Sequence, residues 1–200
     1  MTSTDRETIG MPPVRTVVLS LGTNIGDPFE TLQGAVDLLL ATPGVKLVGV
    51  SPIYRTTPVG PVTDQPDFHN LVLVVEAALT SAMILDRVDA VEQAYGRQRD
   101  VPGGPRTLDV DIITIGERHI DRPELTVPHP RAHERAFVLV PWSDVDPDAE
   151  LPGYGRVVDL LARFDADDVA NAVKPYPRQI DVADVTVARG WDERHDEEDL

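Results

Sequence analysis

Apolar residues along the chain recur with two spacings, every second position in some stretches and every third or fourth in others. The stretch 15-RTVVLSLG-22 has strand character, and the polar cluster 23-TNIGD-27 that follows reads as a turn. Residues 28-PFETLQGAVDLLLAT-42 carry apolar side chains at helical spacing, with Asp27 placed to cap the helix, Pro28 in its first turn and Gly44 to end it. A second strand is predicted over 45-VKLVGVSPIYRT-56, broken near Pro52 because proline has no N–H for a ladder. A third covers 69-HNLVLVVEAAL-79, and a helix capped by Thr80 or Ser81 runs on to about Ala94. The stretch 104-GPRTLDVDIITIG-116 supplies a further strand that turns at Gly116. A short segment follows at 118-RHID-121, then a turn and a short helix from Phe137 to Trp142, and a last helix over 156-RVVDLLARF-164.

The order β-α-β-β-α-β predicts an α+β fold, a ferredoxin-like antiparallel sheet with helices packed on it. The expected domain spans residues 14–168. Residues 1–13 read as a flexible leader in which Met11 is an alternative start, and 169–200, ending in 191-WDERHDEEDL-200, as an acidic, disordered tail. Two irregular segments, 56-TTPVGPVTDQPDF-68 and 96-GRQRDVPGGPR-106, interrupt the pattern, and loops of that length inside a small domain are usually functional.

Composition narrows the possibilities. No apolar run approaches the roughly 20 residues needed to cross a bilayer. The start MTSTDRETIGMPP lacks the basic and apolar regions of a signal peptide, so a cytoplasmic protein with no membrane partner is expected. The absence of cysteine removes disulfides, thiolate metal sites and cysteine nucleophiles. A net charge of −16 argues against nucleic acid as a partner. From Arg97 to Arg135, however, seven arginines balance seven acidic residues, so that window is neutral while the remainder is acidic. With only two lysines, Lys46 and Lys174, local positive charge is almost all guanidinium, which suits bidentate contact with phosphate or carboxylate.

The acidic residues Asp109 and Asp111 sit one position apart in a strand of branched apolar residues. Strand alternation puts them on one face with Ile113 and Ile115, and Leu108, Val110 and Ile112 on the other. Two carboxylates that close repel unless a cation neutralises them. The residues alone leave two readings, a Mg²⁺ site of hard oxygen donors or an edge pair held by arginines. Arg97, Arg99 and Arg106 before the pair, and Arg131 and Arg135 after it, add the guanidiniums that phosphoryl transfer needs for charge neutralisation. There is no Walker loop and no GxGxxG. His129 and His133 have the spacing of a helical zinc pair, but Pro130 pushes His129 out of helical conformation. A phosphate-contacting histidine or a structural one both remain open. Phe68 and Phe137 in isolation read as core residues, with ligand contacts the alternative, and Asn70 as a backbone hydrogen-bonder or a reader of a heterocycle's edge.

Taken together, LSLGTNIGD, YRTTPVGPVTDQPDFHN, GPRTLDVDI and LTVPHPRAHERAFVL, in that order and at nearly regular spacing, resemble the 6-hydroxymethyl-7,8-dihydropterin pyrophosphokinase family from about Arg15 to Phe164. The resemblance implies transfer of pyrophosphate from ATP to the pterin's hydroxymethyl oxygen, with release of AMP; a monomer is expected. It implies two Mg²⁺ ions on Asp109 and Asp111, and catalytic roles for Arg97, Arg99 and Arg106 on a mobile loop. ATP contacts are implied for Ile112, Thr126, His129 and Arg135, and substrate contacts for Thr56, Val59, Phe68, Asn70, Glu92 and Phe137. Three positions depart from the family. Pro102 and Gly103 stand where relatives usually have arginine and tryptophan, which implies a less firmly closing loop, and Glu124 is acidic where some relatives are basic. A pterin- or nucleotide-binding relative with little turnover, and a metal-dependent phosphohydrolase, are the alternatives.

Overall fold

The computed structural model describes residues 12–59, 62, 64–96 and 104–182. The first strand, β1 (Arg15–Thr23), puts Val17, Leu19 and Leu21 into one core and Val18 into another, as alternation requires. Helix α1 (Pro28–Leu40) begins where Asp27 accepts the backbone N–H groups of Phe29 and Glu30. Strands β2 (Val45–Val50) and β3 (Tyr54–Thr56) are the two halves of the segment broken at Pro52, and both pair with β4 (Phe68–Ala77). At the break Ser51 Oγ takes the N–H of Val72 at 2.9 Å, so the ladder loses no hydrogen bond there. Helix α2 (Ser81–Ala94) is capped by the Thr80 hydroxyl, which accepts the N–H of Met83. It leads towards β5 (Asp109–Ile115).

A small hairpin follows, β6 (Ile120–Arg122) and β7 (Leu125–Val127), then a 3-10 turn at Ala132–Glu134 and α3 (Ala136–Val145), which extends beyond the predicted Phe137 to Trp142. Strands β8 (Glu150–Leu151) and β9 (Gly155–Arg156) form a second hairpin before α4 (Val157–Leu161), shorter than the predicted 156–164. The chain continues through α5 (Ala166–Ala172) to β10 (Val173–Pro175), which pairs with β3. The main sheet runs β10-β3-β4-β1-β5, with β2 beside β3 on β4, and every pairing is antiparallel. This is the ferredoxin-like arrangement that the element order predicts. Helices α1 and α2 cover one face of the sheet, where Leu21, Leu32, Leu40, Leu71 and Leu73 are wholly buried. Helices α3 and α4 cover part of the other, against Val18, Val72, Val74 and Ile113.

Two expectations need correction. The alternation of β5 does not run unbroken to Ile115. Its register against β1 shifts at Ile113, the position skipped between Leu19↔Ile112 and Val18↔Thr114. A bulge adds one residue to one strand and so reverses the facing beyond it. Ile113 therefore stays on the α3 side with the aspartates, while Ile115 packs on the α1–α2 side with Val17. The packed domain also extends beyond 168. Val173 and Ile180 are buried, and Tyr176 and Val182 pack against the α1-side core. Edge pairing, not apolar periodicity, builds this last strand. Residues 1–11 and 183–200 lie outside the described residues.

Candidate active site

Because α3 and α4 cover only one end of their face, the other end of that face stays open. Across it the ladder sets Asn70 of β4, Gly22 of β1 and Asp109 of β5 in one row, and Val72, Ser20 and Asp111 in the next. Thr56 on β3 lies beside Phe68. A cleft of about 360 Å³ opens above these strands, walled by Val59, Arg106, Arg135 and Phe137. Gly22 keeps its floor low, since a Cβ there would come within 2.5 Å of Asn70 Oδ1. Asn70 has little room to yield, because its amide donates to Thr56 Oγ1 at 2.5 Å and both residues are buried.

A second cleft, of about 250 Å³, lies along the outer edge of β5 between α2 and β7. Val88 and Asp89 line it from the helix, Ile112 from the strand, and Thr126 and His129 from the far wall. Asp111 lines both clefts, so they meet at its carboxylate.

Each aspartate is engaged by an arginine. Arg106 Nη1 donates to Asp109 Oδ2, and Arg135 Nη1 to Asp111 Oδ2 at 2.7 Å. His129 Nε2 stands 3.9 Å from that same oxygen. His129 is fixed by its backbone N–H, which bonds the bulge carbonyl of Ile113 at 2.8 Å, and by Nδ1, which accepts the Arg131 N–H at 3.1 Å. An accepting Nδ1 leaves Nε2 as the protonated nitrogen of a neutral ring. Burial holds the His129 pKa below its ordinary value; Asp111 opposes that shift, and Arg135 and Arg131 reinforce it. The ring therefore offers a neutral donor into the region between the clefts.

Among the described residues, no group of three or more His, Asp or Glu is placed to hold a metal ion unaided. The donor set is instead two carboxylates on one rigid strand, which fits Mg²⁺ carried with substrate phosphates. His133 stacks on Tyr154, ring centroids 4.2 Å apart, while His129 lines the smaller cleft.

The sequence-derived residues separate into two sets. Thr56, Val59, Phe68, Asn70, Arg106, Asp109, Asp111, Arg135 and Phe137 share the larger cleft. Ile112, Thr126, His129 and Glu92 fall in the smaller one, so Glu92 is apart from the other substrate-contact candidates. Glu92 also points inward, 2% exposed, with Oε1 accepting the Val110 N–H at 2.7 Å. Arg97 and Arg99 lie outside the described residues. The sequence reading missed Asn24, taken only as part of a turn. Its backbone N–H bonds Arg106 O at 3.1 Å, and its Oδ1 accepts the Arg106 N–H at 2.8 Å. Its Nδ2 donates to Gln65 Oε1 and Pro66 O, both at 3.0 Å. One side chain thus ties the end of β1 to both irregular segments.

Residues 18–147 match the family model described as 7,8-dihydro-6-hydroxymethylpterin-pyrophosphokinase. The 2-amino-4-hydroxy-6-hydroxymethyldihydropteridine pyrophosphokinase of Pseudomonas aeruginosa is 43% identical over 149 residues, covering 74% of this chain and 91% of that one. The enzyme of the same name from Mycobacterium leprae is 46% identical over 157 residues, 72% of this chain and 80% of that one. Among solved structures, wild-type HPPK-DHPS of Plasmodium falciparum with pterin and p-hydroxybenzoate superposes with a TM-score of 0.56 at 14% identity, a likeness of fold. The match covers 78% of this chain and 42% of that longer one, so the chain spans less than half its length.

Proposed function

The chain belongs to the 7,8-dihydro-6-hydroxymethylpterin pyrophosphokinase family of folate biosynthesis, and from that premise we propose that it transfers pyrophosphate from ATP to the hydroxymethyl oxygen of 6-hydroxymethyl-7,8-dihydropterin, releasing AMP. The observation that carries the reading is the meeting of two clefts at Asp111, flanked by Asp109 and two arginines. A reaction joining a heterocycle to a nucleotide's phosphates needs two binding spaces with the charge concentrated between them.

The larger cleft takes the pterin. Phe68 and Phe137 offer ring faces to the bicycle, and the Asn70–Thr56 pair exchanges its mutual hydrogen bond for the donor-acceptor edge of the heterocycle. The smaller cleft takes the nucleotide base along Ile112 and Thr126. Asp109 and Asp111 would hold two Mg²⁺ ions, which supply charge neutralisation for the triphosphate. Arginine and cation then draw on the same carboxylate oxygens. As the carboxylates are taken up, Arg106 and Arg135 turn from Asp109 and Asp111 to phosphate oxygens, and His129 donates its Nε2–H alongside them. By the family pattern Arg97 and Arg99, outside the described residues, would add further positive charge. The two clefts come together within one chain, which supports a monomer. Among the described residues no helix is long and apolar enough to cross a membrane, in keeping with a cytoplasmic enzyme.

The test is incubation with Mg²⁺, ATP and 6-hydroxymethyl-7,8-dihydropterin, following AMP by chromatography. AMP release that requires both the pterin and Mg²⁺ is expected, and chelation with EDTA should stop it. Pterin binding without AMP would point to a relative with little turnover, and ATP breakdown without pterin to a hydrolase. Asp109→Ala and Asp111→Ala should each remove turnover while the far-UV circular dichroism stays that of the parent.

A further inference from the structure

Residues 173–175 form the edge of the sheet, and 176–182 continue over its back, on the side away from the larger cleft. Val173, Lys174 and Pro175 pair with Thr56, Arg55 and Tyr54. The ladder is extended at both ends, by Thr57 N–H to Ala172 O at 3.0 Å and by Tyr176 N–H to Ile53 O at 2.8 Å. The Tyr176 ring then meets His69 edge-on, centroids 4.8 Å apart at 82°. Beyond it, Arg178 lies over the Phe29 ring, 3.3 Å from its centroid. The amide of Gln33 makes two 2.8 Å hydrogen bonds with the backbone of Asp181. Ile180, 8% exposed, enters the core between them.

His69 is the residue between Phe68 and Asn70. Strand alternation points those two into the cleft and His69 out of the back, onto Tyr176. The same tyrosine's N–H fixes Ile53, three residues before Thr56. Both strand segments that form the heterocycle side of the cleft are therefore held from behind at one residue. We infer that Tyr176 is a positioning residue for the pterin side of the site, its ring acting through His69 while its main chain anchors β3 whatever the side chain. It lines neither cleft, and its ring contact is with β4, whereas the nucleotide side is formed by β5, β7 and α2.

This rests on the proposed pyrophosphokinase reading, and the experiment separates the two. In steady-state kinetics Tyr176→Ala raises the KM for the pterin about threefold to tenfold, the range an aromatic pair commands, with the KM for ATP within about twofold of the parent. Tyr176→Phe, which keeps the ring edge, restores the parent values. Equal rises in both KM values, or an unchanged pterin KM in Tyr176→Ala, would overturn the assignment. If the parent releases no AMP, the functional reading fails by itself, and amide hydrogen exchange tests the brace. Tyr176→Ala should then lose protection at 68–70 but not at 110–112, and a uniform change or none refutes it. If Tyr176→Ala does not fold, His69→Ala removes the other ring of the pair and is held to the same outcomes.

Discussion

At the residue scale, the site depends on a few polar side chains whose partners lie far away in sequence. Asn24 shows this most clearly, since its bond to Arg106 spans 82 positions. Removing its side chain leaves the Arg106 N–H unpaired and detaches Gln65 and Pro66 together. Misplacing a reacting group by about 1 Å can cost on the order of 10²-fold in rate, so Asn24→Ala should lower kcat/KM by about that factor. Asn24→Asp keeps the acceptor for Arg106 but loses both donations, and should fall between. Parent-like kinetics for Asn24→Ala would remove the residue from the site. The buried histidines make a second prediction. Burial is the leading cause that holds both His129 and His69 below their ordinary value of 6.5, and Arg55 adds to it at His69. Below that value the unfolded chain binds protons that the folded chain resists, so the unfolded state gains as pH falls. Stability should drop as pH falls below about 6.5. Urea denaturation across that range checks it, and His69→Gln with His129→Gln should flatten the slope.

At the element scale, the junction of α2 with β5 sets where the aspartates point. Glu92 sits near the end of α2 and holds the N–H of Val110, the residue between Asp109 and Asp111. Losing a buried acceptor of this kind costs about 1–3 kcal/mol, which is the destabilisation expected for Glu92→Ala in chemical unfolding. Glu92→Gln retains an acceptor oxygen and should lose less. The elements themselves were largely legible in the sequence. Long amphipathic runs such as 28–42 and 81–94 bury enough apolar surface to fix their own conformation, and Pro52 marked the break in the second strand because it cannot donate. The bulge at Ile113 was not legible, since nothing in an unbroken DVDIITI shows where an extra residue enters the ladder. β10 was missed because a three-residue edge strand containing proline takes its conformation from its neighbour β3. The site divides the same way. Carboxylate and arginine chemistry shows in composition and spacing, and that identified Asp109, Asp111, Arg106 and Arg135. The role of Asn24 and the inward turn of Glu92 are tertiary facts without a local pattern.

At the scale of the whole molecule, charge bears on how the nucleotide of the proposed reaction would arrive. The chain carries −16 in total and the window from Arg97 to Arg135 is neutral; Arg106, Arg131 and Arg135 line the larger cleft, while Asp89, Glu92, Asp111 and Glu124 line the smaller one. An approaching triphosphate therefore meets repulsion at long range and guanidinium at short range. These two respond to salt differently. The Debye length shrinks from about 30 Å at 0.01 M to about 10 Å at 0.1 M, which removes the field of distant carboxylates before it weakens contacts at Arg106 and Arg135. Association of ATP with the protein, measured by stopped-flow with a fluorescent analogue at constant Mg²⁺, should first accelerate as salt rises over that interval. Many phosphate-binding proteins steer their ligand with net positive charge and slow as salt is added. A monotonic slowing here would mean that the local arginines dominate at every distance, and that the acidic remainder of the molecule has no part in access to the site.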